Sequence, residues 1–123
     1  MSARPVYRLT AAERAEVKET IRSVLIDLAR ARQTITYTEL CLLIPMVRLH
    51  PHSFVFTALL REVCSEEEAA GHGMLCALVV SKLTGMPGAG YFRSTAFGDR
   101  DISDPEARWR ADLEAVFAYW ANR

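Results

Sequence analysis

An α+β fold is what this sequence predicts, and three observations point to it. Long stretches at either end repeat apolar residues at helical intervals, the middle holds a short β-branched run followed by two short helical patterns, and a wholly apolar segment leads into a glycine-rich turn. The expected order is helix, short strand, helix, helix, two-stranded hairpin and C-terminal helix.

The first helix is announced by "LTAAERAEVKETIRSVLIDLARAR", expected to be helical over residues 10–32. Thr10 and Glu13 have capping-box spacing, and Val17, Ile21, Val24, Leu25 and Leu28 fall on one face. Arg14, Lys18, Glu19 and Arg22 on the other face read as a solvated surface. In "TITYTELCLLI" the β-branched and aromatic start predicts a very short strand, and Thr36 with Glu39 caps a helix over 37–44 that Pro45 stops. Ser53 caps a third helix, over 53–64, whose apolar stripe is Phe56, Leu59, Leu60 and Val63.

"SEEEAAGHG" reads as a charged break, with Glu66–Glu68 as a solvated acidic run. The apolar run after it predicts a strand over 74–81, and "YFRST" a return strand over 91–95. Between them, "GMPGAG" is GxxGxG and leads into a strand; a phosphate-binding loop opens a helix. It is better read as a hairpin turn, with Gly85, Gly88 and Gly90 free to take positive φ and Pro87 stiffening the tip. The last helix, over 104–121, starts from Ser103, Pro105 and Glu106 and puts Trp109, Leu113, Val116, Phe117 and Trp120 on one face. This is the order of a winged helix with one extra C-terminal helix, in a single domain spanning 1–123.

Composition narrows the function. Fifteen basic and fifteen acidic residues cancel, so any attraction to nucleic acid must come from a local patch. Residues 1–50 carry eight Arg/Lys against five Asp/Glu, and residues 51–123 seven against ten, which favours the N-terminal half for a phosphate-facing surface. No stretch is apolar enough to span a bilayer and the N-terminus has no signal-peptide core, so a cytoplasmic protein without membrane contact is expected. Cys41, Cys64 and Cys76 lack metal-ligand spacing and are expected as reduced, partly buried thiols. His50, His52 and His72 have no diagnostic metal spacing either, and neither cofactor nor metal is expected.

"ITYTEL", a helix pair and "LCALVVSKLTG" together resemble the winged-helix domain of the DNA alkyltransferases and alkyltransferase-like proteins, over roughly residues 35–90. The resemblance places Cys76 at the family's alkyl-accepting cysteine, Val79 and Val80 at its valine pair and Gly85 at a following glycine. Leu75, Ala77 and Leu78 replace the proline, histidine and arginine around that cysteine, so the base that would ionise the thiol is missing. Cys76 is therefore expected to pack and not to react, and no enzyme is expected.

Two functions follow. The first is non-enzymatic binding of duplex DNA, with the third helix presenting Thr57, Arg61 and Glu62 outward. Its expected contacts are Thr38, Ser53, Thr57 and Arg61 in the helix pair, with Lys82 and Arg93 flanking the turn. The alternative is a winged scaffold for protein interaction or self-association, as a homodimer through the aromatic C-terminal helix or through Tyr91, Phe92, Trp109, Tyr119 and Trp120.

Overall fold

The computed structural model describes residues 4–5, 9–88, 91 and 104–123, and within them the chain is a mostly helical α+β fold. Helix α1 (Ala11–Arg30) opens on the expected capping box: the Thr10 hydroxyl accepts the Glu13 N–H, and the Glu13 carboxylate accepts the Thr10 N–H. Val17, Ile21, Leu25 and Ala29, four residues apart, form its buried stripe. It ends where Arg32 turns to φ 56°, left-handed backbone unusual for a side-chain-bearing residue. That turn is held from outside: the Arg32 guanidinium reaches both carboxylate oxygens of Glu114 and lies 4.8 Å over the Phe117 ring.

Strand β1 (Arg4–Pro5) pairs in parallel with β3 (Val47–Arg48), and β2 (Ile35–Thr36) in parallel with β4 (Val79–Val80). The second pair is the more central, because Ile35 and Val79 face each other inside the core. Helix α2 (Tyr37–Leu42) starts directly from β2 through the Thr36–Glu39 capping box.

Helix α3 (Phe54–Ala69) begins at Ser53 as expected but runs past residue 64. The acidic run is not a break. Glu62, Glu66 and Glu67 lie along the side of α3 that meets α1, and Arg14, Lys18 and Arg22 answer them from α1. Charges that looked like two separate solvated faces neutralise each other across the helix pair, which carries the helix through three consecutive glutamates.

The expected strand over 74–81 is shorter. Leu75–Leu78 forms a turn of 3-10 helix, and only Val79–Val80 is extended. Apolarity on all sides is equally satisfied by a buried 3-10 turn, and Leu75, Ala77 and Leu78 are fully enclosed. Among the described residues β4 pairs with β2 alone. Of the expected return strand only Tyr91 is described, and its backbone is helical; residues 92–95 lie outside the described residues.

The C-terminal helix α4 (Pro105–Trp120) is capped by Asp104, whose carboxylate accepts the Ala107 N–H; Ser103 is outside the described residues. Trp109, Val116, Phe117 and Trp120 bury its inner face, and the Trp109 indole N–H donates to the Ala77 carbonyl at 2.8 Å. No described helix is long and apolar enough to cross a membrane.

Candidate nucleic-acid interface

Helix α3 divides into two faces. Phe56, Leu59, Leu60 and Val63 are buried, while Phe54, Ala58, Arg61 and Ser65, at spacings of four, three and four, share the opposite face. Two of the three residues expected to point outward are otherwise engaged. The Glu62 carboxylate is held by Arg14 at 2.5 Å and Lys18 at 3.4 Å, and the half-buried Thr57 hydroxyl donates to the Ser53 and Phe54 carbonyls. Arg61 is exposed as expected. The Ser53 hydroxyl is committed as the α3 cap, accepting the Phe56 N–H, and Thr38 is exposed in the first turn of α2.

The glycine-rich segment is a closed loop on β4. Ser81 N–H donates to the Met86 carbonyl at 2.7 Å and Gly85 N–H to the Ser81 carbonyl at 2.8 Å, a closure that takes Gly85 to φ 71°. Leu83, 96 % exposed, lies at the outer turn, whereas Pro87, expected at the tip, is buried. Tyr37 ties the loop to α2: its hydroxyl accepts the Gly88 N–H at 2.8 Å, and its own burial raises its pKa. Lys82 projects from the loop near Glu39. The Glu39 carboxyl is held below its ordinary range first by the Thr36 backbone N–H, then by the Thr36 hydroxyl, with a weaker attraction from Lys82. Arg93, Gly90 and Phe92 lie outside the described residues.

Sorting the cations by partner gives the site its outline. Arg14, Lys18 and Arg22 pair with α3, Arg32 with Glu114, Arg30 with Asp27 and Arg110 with Glu106. Among the described residues no ion pair involves Arg48, Arg61 or Lys82, which belong to β3, α3 and the loop. Arg48 was not foreseen: a single arginine in "PMVRLHPH" has no periodicity to mark it, and only the short β3, which buries Val47 and exposes the next residue, turns it outward. Of the exposed large apolar side chains, Phe54 (86 %) and Leu83 share α3 and the loop with Arg61 and Lys82, and Leu42 (78 %) and Leu43 (52 %) end α2.

No family model matches the chain, and no curated protein or solved structure matches it.

The remaining candidates are not assembled into a site. His50 Nδ1 accepts the His52 N–H, whereas His72 bonds Glu67 at 3.0 Å and stacks on Tyr119, so the three histidines serve different parts of the fold. Among the described residues no group of three His, Cys, Asp or Glu is disposed to hold a metal. Cys76 is neither a nucleophile nor a reduced thiol. It is bridged to Cys64, with Cα atoms 5.6 Å apart, which corrects the expectation of three free cysteines. Residues in a helix and in a later 3-10 turn offer no sequence spacing by which such a pairing could be read. Cys41 is free, and burial pushes its thiol up to about 12. The aromatics offered for self-association are largely used internally: Tyr91, Trp109 and Trp120 are buried within the chain.

Proposed function

We propose that this chain is a winged helix-turn-helix protein that binds duplex DNA without catalysing a reaction. The observation that carries the reading is the set of unpaired cations. On α1 and α4 described positive side chains are matched with carboxylates or ring faces, whereas among the described residues Arg48, Arg61 and Lys82, on β3, α3 and the loop after β4, have neither. Exposed cations without a protein counter-charge can take phosphate oxygens and release counterions on doing so. Across the outward face of α3, Arg61 is the one side chain able to make a bidentate base contact, so the expected binding follows backbone and shape more than sequence.

The test is duplex affinity across a salt series. Three phosphate contacts give a log–log slope of about −2.7, a loss of roughly fortyfold between 50 and 200 mM salt. Arg48→Ala, Arg61→Ala and Lys82→Ala should each flatten that slope by about 0.9. No binding at low salt, or an unchanged slope in the triple variant, sinks the reading.

The second reading, a scaffold for protein interaction, is favoured by Leu42, Leu43, Phe54 and Leu83, apolar side chains exposed on α2, α3 and the loop after β4. It predicts partner binding that responds weakly to salt and strongly to Phe54→Ala.

A further inference from the structure

The Cys64–Cys76 bridge joins the body of α3 to the 3-10 turn that feeds β4 and the glycine loop. Arg61 stands three residues before one half-cystine, and Lys82 six residues after the other. We propose that this bridge is a reversible redox latch, and that opening it weakens the surface carrying Arg61 and Lys82. The effect on that surface rests on the DNA-binding reading; the latch itself does not.

Three features make the bridge switchable. Cys76 is partly exposed and Cys64 is only 5 % exposed, so an incoming thiolate has one sulfur to attack. Attack by a dithiol reductant forms a mixed disulfide at Cys76 and releases Cys64 as a thiolate that takes up a proton. The second thiol of the reductant then displaces Cys76, which is protonated in turn, and leaves as the cyclic disulfide. Two electrons and two protons have passed to the protein. Secondly, the elements on either side are held by other contacts, since Leu75 and Leu78 are fully buried and Trp109 bonds Ala77. The reduced chain therefore keeps its fold and loses a constraint. Thirdly, the remaining cysteine, Cys41, is buried and stays a thiol at neutral pH, so it does not compete as a nucleophile for either half of the bridge.

What the latch constrains is the return from α3. Residues 65–75 form the closed loop: the last turns of α3, then a turn through Gly71 at φ 83° and Gly73 at φ 92°, held by the Gly71 N–H on the Glu68 carbonyl and the His72 N–H on the Glu67 carbonyl. Opening the bridge gives that loop back its freedom in the unfolded chain, and lets α3 and the 3-10 turn move separately in the folded one.

The experiment starts with protein equilibrated in excess oxidised glutathione and, separately, in dithiothreitol. Thiol counting after rapid denaturation should find one thiol in the first and three in the second, with a mass gain of two hydrogens on reduction. Melting should occur roughly 10 °C lower in the reduced form, and a Cys64→Ala/Cys76→Ala variant should melt alike in both buffers, while Cys41→Ala keeps the difference. Three thiols in the oxidised sample, or equal melting of the two wild-type forms, overturns the latch. Titration of a 20-base-pair duplex should show about fivefold weaker binding to the reduced form. Equal affinities overturn the coupling. Absence of binding in both forms overturns the DNA reading and the coupling with it, and the thiol count and melting then decide the bridge alone.

Discussion

Replacing Arg22 by methionine tests the contact that most changes how this sequence is understood. The Arg22 guanidinium reaches Glu67 at 2.9 Å, Glu66 at 2.6 Å and Glu19 at 3.2 Å, and its side chain is 17 % exposed. Of these partners Glu67 matters most: its side chain is 9 % exposed, whereas those of Glu66 and Glu19 are 48 % and 73 % exposed and contribute little on their own. Methionine keeps the apolar stem and removes the charge. Glu67 is then left near the core with His72 as its side-chain hydrogen-bond partner among the described residues. Breaking a fully buried pair costs about 3–5 kcal/mol; with Arg22 partly solvated and His72 still in place, about 2–3 kcal/mol is expected. At an unfolding entropy of about 2.1 cal/mol/K per residue, each kcal/mol is worth roughly 4 °C in this chain, so Tm should fall by about 8–12 °C. Urea unfolding of Arg22→Met, Glu67→Gln and the double variant completes the cycle, and the double should be milder than the sum of the singles by about 1–2 kcal/mol. A single-variant cost under about 0.5 kcal/mol, or simple additivity, would show that the α1–α3 charges are the solvated faces their spacing suggests.

The same interface should be felt on acidification. Glu62 is held below the ordinary carboxylate range chiefly by hydrogen bonding from Arg14, and Glu66 by Lys18 and then Arg22. Because the folded values lie below the unfolded one, their stabilisation is complete above about pH 5 and is lost as pH falls through the folded values; urea midpoints flat from pH 8 to 5 and falling below, with a smaller fall in 1 M salt, would agree, and a midpoint that rises on acidification would not. Two glycines after α3 separate backbone strain from crowding. Gly71→Ala meets nothing within 4 Å and should cost about 1 kcal/mol for its positive φ alone, while Gly73→Ala also brings a Cβ to 3.2 Å from Val116 of α4 and should cost about 2; equal costs in urea unfolding would mean that α4 yields freely there.

The helices were legible because their signals are local. Thr10 with Glu13 and Thr36 with Glu39 each close a capping box within one turn, and stripes such as Val17, Ile21 and Leu25 repeat within one helix. What could not be read depends on residues distant in sequence. Glu66 to Glu68 look like a break until Lys18 and Arg22, more than forty residues earlier, are seen beside them. The run "MLCALVV" carries no periodicity to separate a strand from a buried 3-10 turn, because every residue of it but Cys76 is enclosed. Arg61 and Lys82 could be nominated from helix phase and turn position, but their freedom from ion pairs is a statement about the other cations. Thr57 and Ser53 have the right exposure pattern for contact residues, yet their hydroxyls serve the start of α3, a competition that short polar side chains face at any helix N-terminus.

Both tryptophans of the chain sit on α4, and both are buried. Trp109 holds the Ala77 carbonyl, and the Trp120 indole nitrogen is enclosed without a hydrogen-bond partner among the described residues. Native indole emission from this molecule therefore comes from one helix and the pockets it fills. Undocking of α4 would shift that emission to the red as the rings meet water. A rearrangement confined to α2, to the outward face of α3 or to the loop at Leu83 would be optically silent, so a titration followed by intrinsic fluorescence could saturate the proposed binding surface and record nothing. A reporter for that side has to be brought in, and Leu83→Trp would put one on the loop where the native chain has none.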